Sequence, residues 1–182
     1  LIDKKMQVNK IASTIDDPFY GNIEVQHRGQ KIRNLYYVTL ELTNTSWISL
    51  AAFEIKFALL NNGLILSSRS YLLFDNSTYS LKWTEDYNEK YKKLTEVLGA
   101  EPVEQTIELH DLTNHLAKQV EYEVPRMNKG EKIYSEFLVD TDGQIDDIIV
   151  FPVKENIRVR IAKDLETQRK DKMKSVNITA GI

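Results

Sequence analysis

Four carboxylates crowd one glycine: Asp140, Asp142, Asp146 and Asp147 surround Gly143. Hard oxygen ligands at such close spacing are what calcium requires. The order departs from an EF-hand loop, however, because Gly143 is fourth rather than sixth counting from Asp140, and Phe151 stands where the closing Glu belongs. A solvated turn is the preferred reading. Asp140, Asp142 and Asp146 remain weak calcium candidates, and no metal or cofactor is assigned. His110, Asp111 and His115 offer two imidazoles and a carboxylate, but their five-residue step does not place both histidines on one helical face, as the i, i+4 zinc arrangement does. His27 stands alone in a turn. There is no Gly-x-Ser-x-Gly elbow, and the seven glycines include no phosphate loop. Glu121 and Glu123 are expected to face outward from a strand, where solubility accounts for them.

Aromatic residues are the better candidates for binding. Trp47 follows the break Asn44-Thr45-Ser46, so its indole either plugs one end of the core, the preferred reading, or forms part of a recognition surface. Trp83, Tyr87 and Tyr91 make a stripe at a helix start. Docking of that helix is the simpler role, and a partner groove with aromatic anchors the functional one. Sequons beginning at Asn44, Asn76 and Asn177 matter only in a secreted eukaryotic protein, and nothing else suggests one.

The elements that must position these residues are mostly strands. Tyr36, Val38, Leu40 and Leu42 alternate with Tyr37, Thr39 and Glu41; Phe53, Ile55, Phe57 and Leu59 with Glu54 and Lys56; Ile157, Val159 and Ile161 with Arg158 and Arg160. A period of two puts one row of side chains in a core and the other in water, the mark of half-buried antiparallel strands. Residues 1–20 read as an extended lead-in, and Ile23 and Val25 as a short strand. Asn61-Asn62-Gly63 and Asn128-Lys129-Gly130 have the turn chemistry of hairpins, predicting that 52–60 pairs with 64–74 and that 120–124 pairs with 133–139. Ile145 to Val150 reads as an edge segment.

Between 75 and 119 the alternation stops. Thr84 can cap a helix with Glu85 and Asp86 in its first turn, Tyr87, Tyr91, Leu94 and Leu98 follow at helical spacing, and Gly99 ends it. A second short helix is expected over 111–118. The expected organisation is one domain over 1–164, with a helical insertion at 75–119 and a polar tail over 165–182.

Composition bounds the function. With 182 residues the chain can bury a sizeable core without disulfides, and it has no cysteine for them. A net charge of −3 offers no general attraction for nucleic acid. No apolar run approaches the roughly 20 residues that cross a bilayer.

The succession Gly29-Gln30-Lys31-Ile32-Arg33-Asn34-Leu35, an alternating strand, then Leu42-Thr43-Asn44-Thr45 resembles an immunoglobulin-like module of uncharacterised bacterial membrane-tethered proteins. So does the later order Val120-Glu121-Tyr122-Glu123-Val124, Met127-Asn128-Lys129-Gly130-Glu131, Phe137-Leu138-Val139-Asp140 and Ile157-Arg158-Val159-Arg160-Ile161-Ala162. The insertion 75–119 and the tail depart from that pattern. The resemblance implies a mainly β, immunoglobulin-like antiparallel β-sandwich that follows a transmembrane segment upstream of Leu1 and binds an unknown protein partner. Lys4, Lys5 and Lys10 would then flank that segment's exit and favour the cytoplasmic face.

The function expected is therefore a non-enzymatic recognition or assembly module working through loops or edge-strand pairing, which also permits homo-oligomers. Two alternatives stay open. One is an enzyme or small-ligand protein with a pocket in 75–119, its first suspects Glu104, Glu108, His110 and Asp111. The other is a calcium-dependent extracellular adhesion domain.

Overall fold

The computed structural model describes residues 1–18, 21–60, 62–75, 77–99 and 106–162. Glu104, the sequon residues Asn76 and Asn177, the turn residue Asn61 and the expected tail 165–182 lie outside them. In chain order the strands are β1 (Ile2–Ser13), β2 (Ile15–Asp17), β3 (Gly21–Ile23), β4 (Val25–His27), β5 (Gln30–Ile32), β6 (Asn34–Asn44), β7 (Leu50–Leu59) and β8 (Leu64–Phe74). There follow β9 (Ser77–Ser80), β10 (Lys82–Trp83), helices α1 (Glu85–Gly99) and α2 (Ile107–Lys118), then β11 (Gln119–Met127), β12 (Lys132–Asp140), β13 (Ile148–Val153) and β14 (Val159–Ile161).

The protein is mainly β. One sheet has the order β14-β1-β6-β12-β8-β9, a second β10-β11-β7-β13, and β2-β3 and β4-β5 are separate two-stranded ribbons. Alternation explains how the two larger sheets share an interior. Val38, Leu40, Leu42, Ile133, Phe137 and Val139 from the first and Phe53, Ile55, Phe57, Val120, Tyr122 and Val124 from the second join a single buried cluster. Phe57 meets Phe137 edge to face across it, with ring centres 5.3 Å apart, a favoured aromatic geometry. The Tyr122 hydroxyl and Ser68 Oγ, 2.9 Å apart, tie β11 to β8.

Neither expected hairpin forms. β7 pairs with β11 and β13, while β8 pairs with β12 and β9, so the chain after Leu59 crosses from one sheet to the other. The turn Asn128-Lys129-Gly130 likewise carries the chain from β11 into β12, which belongs to the other sheet. Gly130 has φ +83°, as the turn chemistry predicts. Burial is satisfied by either arrangement, because the apolar row of a strand reaches the common core from whichever sheet the strand joins.

Other elements differ from expectation too. The lead-in is a long strand, β1, whose inward row includes Ile2 and the aliphatic stem of Lys4. The closing strand β14 runs parallel to β1, not antiparallel, and its Ile161 is exposed rather than core-facing. The edge segment is Ile148–Val153, with Ile145 already buried ahead of it. The helical excursion is shorter than 75–119, because β9 extends the first sheet and β10 the second, with Leu81 buried between them.

Both helices begin as capping chemistry requires. Thr84 Oγ1 accepts from the Tyr87 amide and Thr106 Oγ1 from the Leu109 amide, so α2 starts four residues before the expected 111. Among the described residues no helix is long and apolar enough to cross a membrane.

Candidate recognition surfaces

Asn44, at the end of β6, organises one end of the molecule. Its side chain is fully buried and fully bonded: Nδ2 donates to the carbonyls of Ile48 (3.1 Å) and Met127 (3.0 Å), and Oδ1 accepts from the Ser46 amide and hydroxyl. Its backbone carbonyl accepts from Gly130 N and its amide donates to Glu131 O. One amide side chain thus joins the 45–49 loop to the β11–β12 turn. Ser49 Oγ adds a bond to Asn128 Oδ1, and both Glu131 carboxylate oxygens accept from Asn128.

This fixed loop projects Trp47 and Ile48 into water, 88% and 68% exposed. The plug expected of Trp47 is not made, because Asn44, Met127 and Leu50 already close the core beneath it. Lys129 Nζ lies 3.6 Å from the centre of the indole ring, a cation–π contact that leaves the ammonium unneutralised. Leu1 belongs to the same end: its carbonyl accepts from the Thr45 amide.

The second aromatic group is a docking joint. Trp83 packs on Tyr87 at 5.3 Å and on Tyr91 at 5.1 Å. Tyr87 is buried in the common core, which pushes its hydroxyl well above the ordinary tyrosine range, whereas Trp83 is 36% exposed and Tyr91 is exposed. Leu116 joins the same core, with Leu94 and Leu112 packed against it. Trp83, Tyr87 and Tyr91 therefore hold α1 to the strands while Leu112 and Leu116 hold α2, and only the outer edges of Trp83 and Tyr91 are available to a partner.

The helices also cover Glu121. It does face away from the core, as the alternation requires, yet it is only 1% exposed, which corrects the expectation of a solvated carboxylate. Lys56, its cross-strand partner on β7, meets Oε2 at 3.0 Å, Gln119 donates to Oε1, and Thr84 Oγ1 donates weakly at 3.5 Å. His115 Nε2 is buried, 3.8 Å from Glu121 Oε1, and makes no hydrogen bond among the described residues. Burial lowers the His115 pKa from its ordinary 6.5, and the Lys90 charge adds to that effect against the pull of Glu121. Sequence alternation could not show this pocket of charge, because it depends on what covers the strand's outer face.

The remaining candidates disperse. Asp140 Oδ1 accepts from the Arg33 and Asn34 amides, Asp142 pairs with Arg33 at 2.8 Å, Asp147 pairs with Lys4, and Asp146 is exposed. Asp140 and Asp142 both bind Arg33 and Asp147 binds Lys4, and no group of three metal-binding side chains exists among the described residues. Glu108, His110 and Asp111 lie exposed on α2, where His110 bonds Asn114, so they line no common cleft. Lys4, one of the lysines expected beside a membrane, is buried with Nζ donating to Asp147 and the Ile148 carbonyl. It contributes no surface charge.

A hollow of about 500 Å³ lies at the outer side of the second sheet, walled by Tyr79, Pro125 and Val153 with Glu54, Glu123 and Lys82 at its polar side. Glu54 and Glu123 stand directly opposite each other, a repulsive cross-strand pair next to Lys82 on β10. No protein-family model matches the chain, and no curated protein matches it.

Proposed function

We propose that the chain is an immunoglobulin-like β-sandwich acting as a non-enzymatic recognition module, membrane-tethered like the proteins it resembles, and that it presents the Trp47 end to its partner. The observation carrying this reading is the 88% exposure of Trp47 on a loop whose base is locked by the bonds of Asn44. An indole gains little from standing in water, so a fixed, projecting one is suited to an anchor in an interface.

Loops are favoured over edge pairing. The outer strands β14, β9 and β10 are three, four and two residues long, and the longer β13 contains Pro152, which offers no amide to an incoming strand. A segment preceding Leu1 would leave the domain at the Trp47 end, because Leu1 bonds Thr45.

Photo-crosslinking tests the assignment. A photoreactive phenylalanine analogue at position 47 is expected to give discrete adducts in cells, and the same analogue at Ile107, 82% exposed on α2, is expected to give none. Equal labelling from both positions, or no adduct from 47 with either protein or lipid, would remove the Trp47 end as the binding surface.

A further inference from the structure

Positive charge gathers around Trp47. Arg126 stands opposite Ala51 at the start of β7, Lys129 lies over the indole, and Lys154 Nζ donates to the Ala52 carbonyl. The Arg158 carbonyl accepts from the Ile2 amide, next to Leu1 and Thr45. None of these four cations forms an ion pair among the described residues. The carboxylates at this end are engaged: Asp3 by Arg160 and Thr45, and Glu131 by Asn128. Glu131, whose charge the neutral Asn128 donors leave in place, and Glu155, exposed beside Lys154, are the counter-charges to these four cations. On a chain of net charge −3, this end is locally cationic where Trp47 and Ile48 project.

We propose that this end contacts an anionic lipid surface, with Trp47 and Ile48 entering the interfacial zone and Arg126, Lys129, Lys154 and Arg158 meeting the headgroups. The inference rests on the reading of the Trp47 end as the binding surface and names its partner. Tryptophan concentrates at bilayer interfaces because its ring is apolar while its N–H still finds a polar partner. Basic residues within a Debye length of an anionic leaflet are attracted to it, and shallow apolar insertion plus several cations binds where either alone is marginal. A fluid, negatively charged surface accepts two projecting side chains within a group of cations without a matching pocket. The cation–π contact keeps Lys129 at the tip with its charge intact.

The test is co-sedimentation of the 182-residue chain with vesicles of phosphatidylcholine alone or mixed with phosphatidylserine, at low and high salt. Binding is expected only to the anionic vesicles and is expected to weaken with salt. Trp47→Ala and the pair Lys129→Glu with Arg158→Glu should each reduce it on the order of tenfold. Ile107→Ala, which removes an equally exposed apolar side chain elsewhere, should leave it unchanged. In a Trp83→Phe background, Trp47 fluorescence should shift to the blue on anionic vesicles and be quenched by brominated lipid. Absence of binding, equal binding to both vesicle types, or binding indifferent to Trp47→Ala overturns the lipid assignment. If vesicles fail while position 47 still crosslinks to a protein, the lipid partner falls and the Trp47 surface stands.

Discussion

The two tryptophans stand in opposite circumstances, and the polar groups beneath them explain why. Trp83 lies against Tyr87 and Tyr91 at the root of a helix, beside a carboxylate, Glu121, that the helices bury over Lys56. Trp47 stands clear of the core on a loop whose polar support, Asn44, is buried and completely bonded. In the first region aromatic area is spent on cohesion. In the second a hydrogen-bonded amide supplies the cohesion, which frees the aromatic side chain for another use.

The contrast breaks most visibly at Tyr87. Tyr87→Ala should cost about 3 kcal/mol, measured as a lower urea midpoint, because it opens a cavity where α1 joins the core. A loss no greater than that of an ordinary surface substitution would mean that α1 is not held by this joint. Asn44→Ala should cost about 2 kcal/mol by removing the buried bonds to the Met127 carbonyl and the Ser46 amide, the Ile48 carbonyl keeping its bond from the Ser46 hydroxyl. It should also open the 45–49 loop to limited proteolysis, and a loop that stays resistant would show that Asn44 does not organise it.

His115 sharpens the comparison through pH. Its pKa is lowered in the folded chain, so the unfolded chain takes up the proton first as pH falls. Its contribution to stability is thus complete above about pH 6.5 and declines below it, a small effect because the ring is partly exposed. His115→Asn should flatten the decline in urea midpoint as pH falls below about 6.5. An unchanged slope would assign the decline to another group. Asp3 and Asp86, held down by Arg160 and Lys90, act in a separate window. So does Glu136, where bonds from Tyr37 and Arg69 overcome the opposing effect of burial. Their stabilisation is present above about pH 4 and is lost as pH falls through their lowered values. The smallest effect belongs to Trp47→Ala, expected within about 0.5 kcal/mol of the parent in the same urea titration, since the side chain supports nothing beneath it. A loss comparable to that of Tyr87→Ala would make Trp47 structural after all.

The alternating segments were legible because burial of one face imposes a period of two, and Thr84 was legible because a helix start must satisfy its free amides. Partner strands were not. Asn61-Asn62-Gly63 and Asn128-Lys129-Gly130 describe how the chain turns, but the same turn chemistry serves a hairpin and a passage between sheets. β1 was hidden because its inward row contains Lys4, whose stem is apolar and whose ammonium finds Asp147 more than a hundred residues away. The state of Glu121 depends on helices that pack over it, and that of Trp47 on Asn44, a residue read only as a strand breaker. In each case a long-range partner decided the outcome.

The parallel pairing of β1 with β14 has a mechanical consequence. Ile2 lies beside Val159 and Lys4 beside Ile161, with Asp3 clasped by the Arg160 guanidinium between them. Tension that draws Leu1 and Ala162 apart along the strands would load this ladder in shear, so its bonds would share the force instead of opening one after another. Pulling the chain between those two positions should therefore meet greater resistance than peeling β14 sideways from its edge.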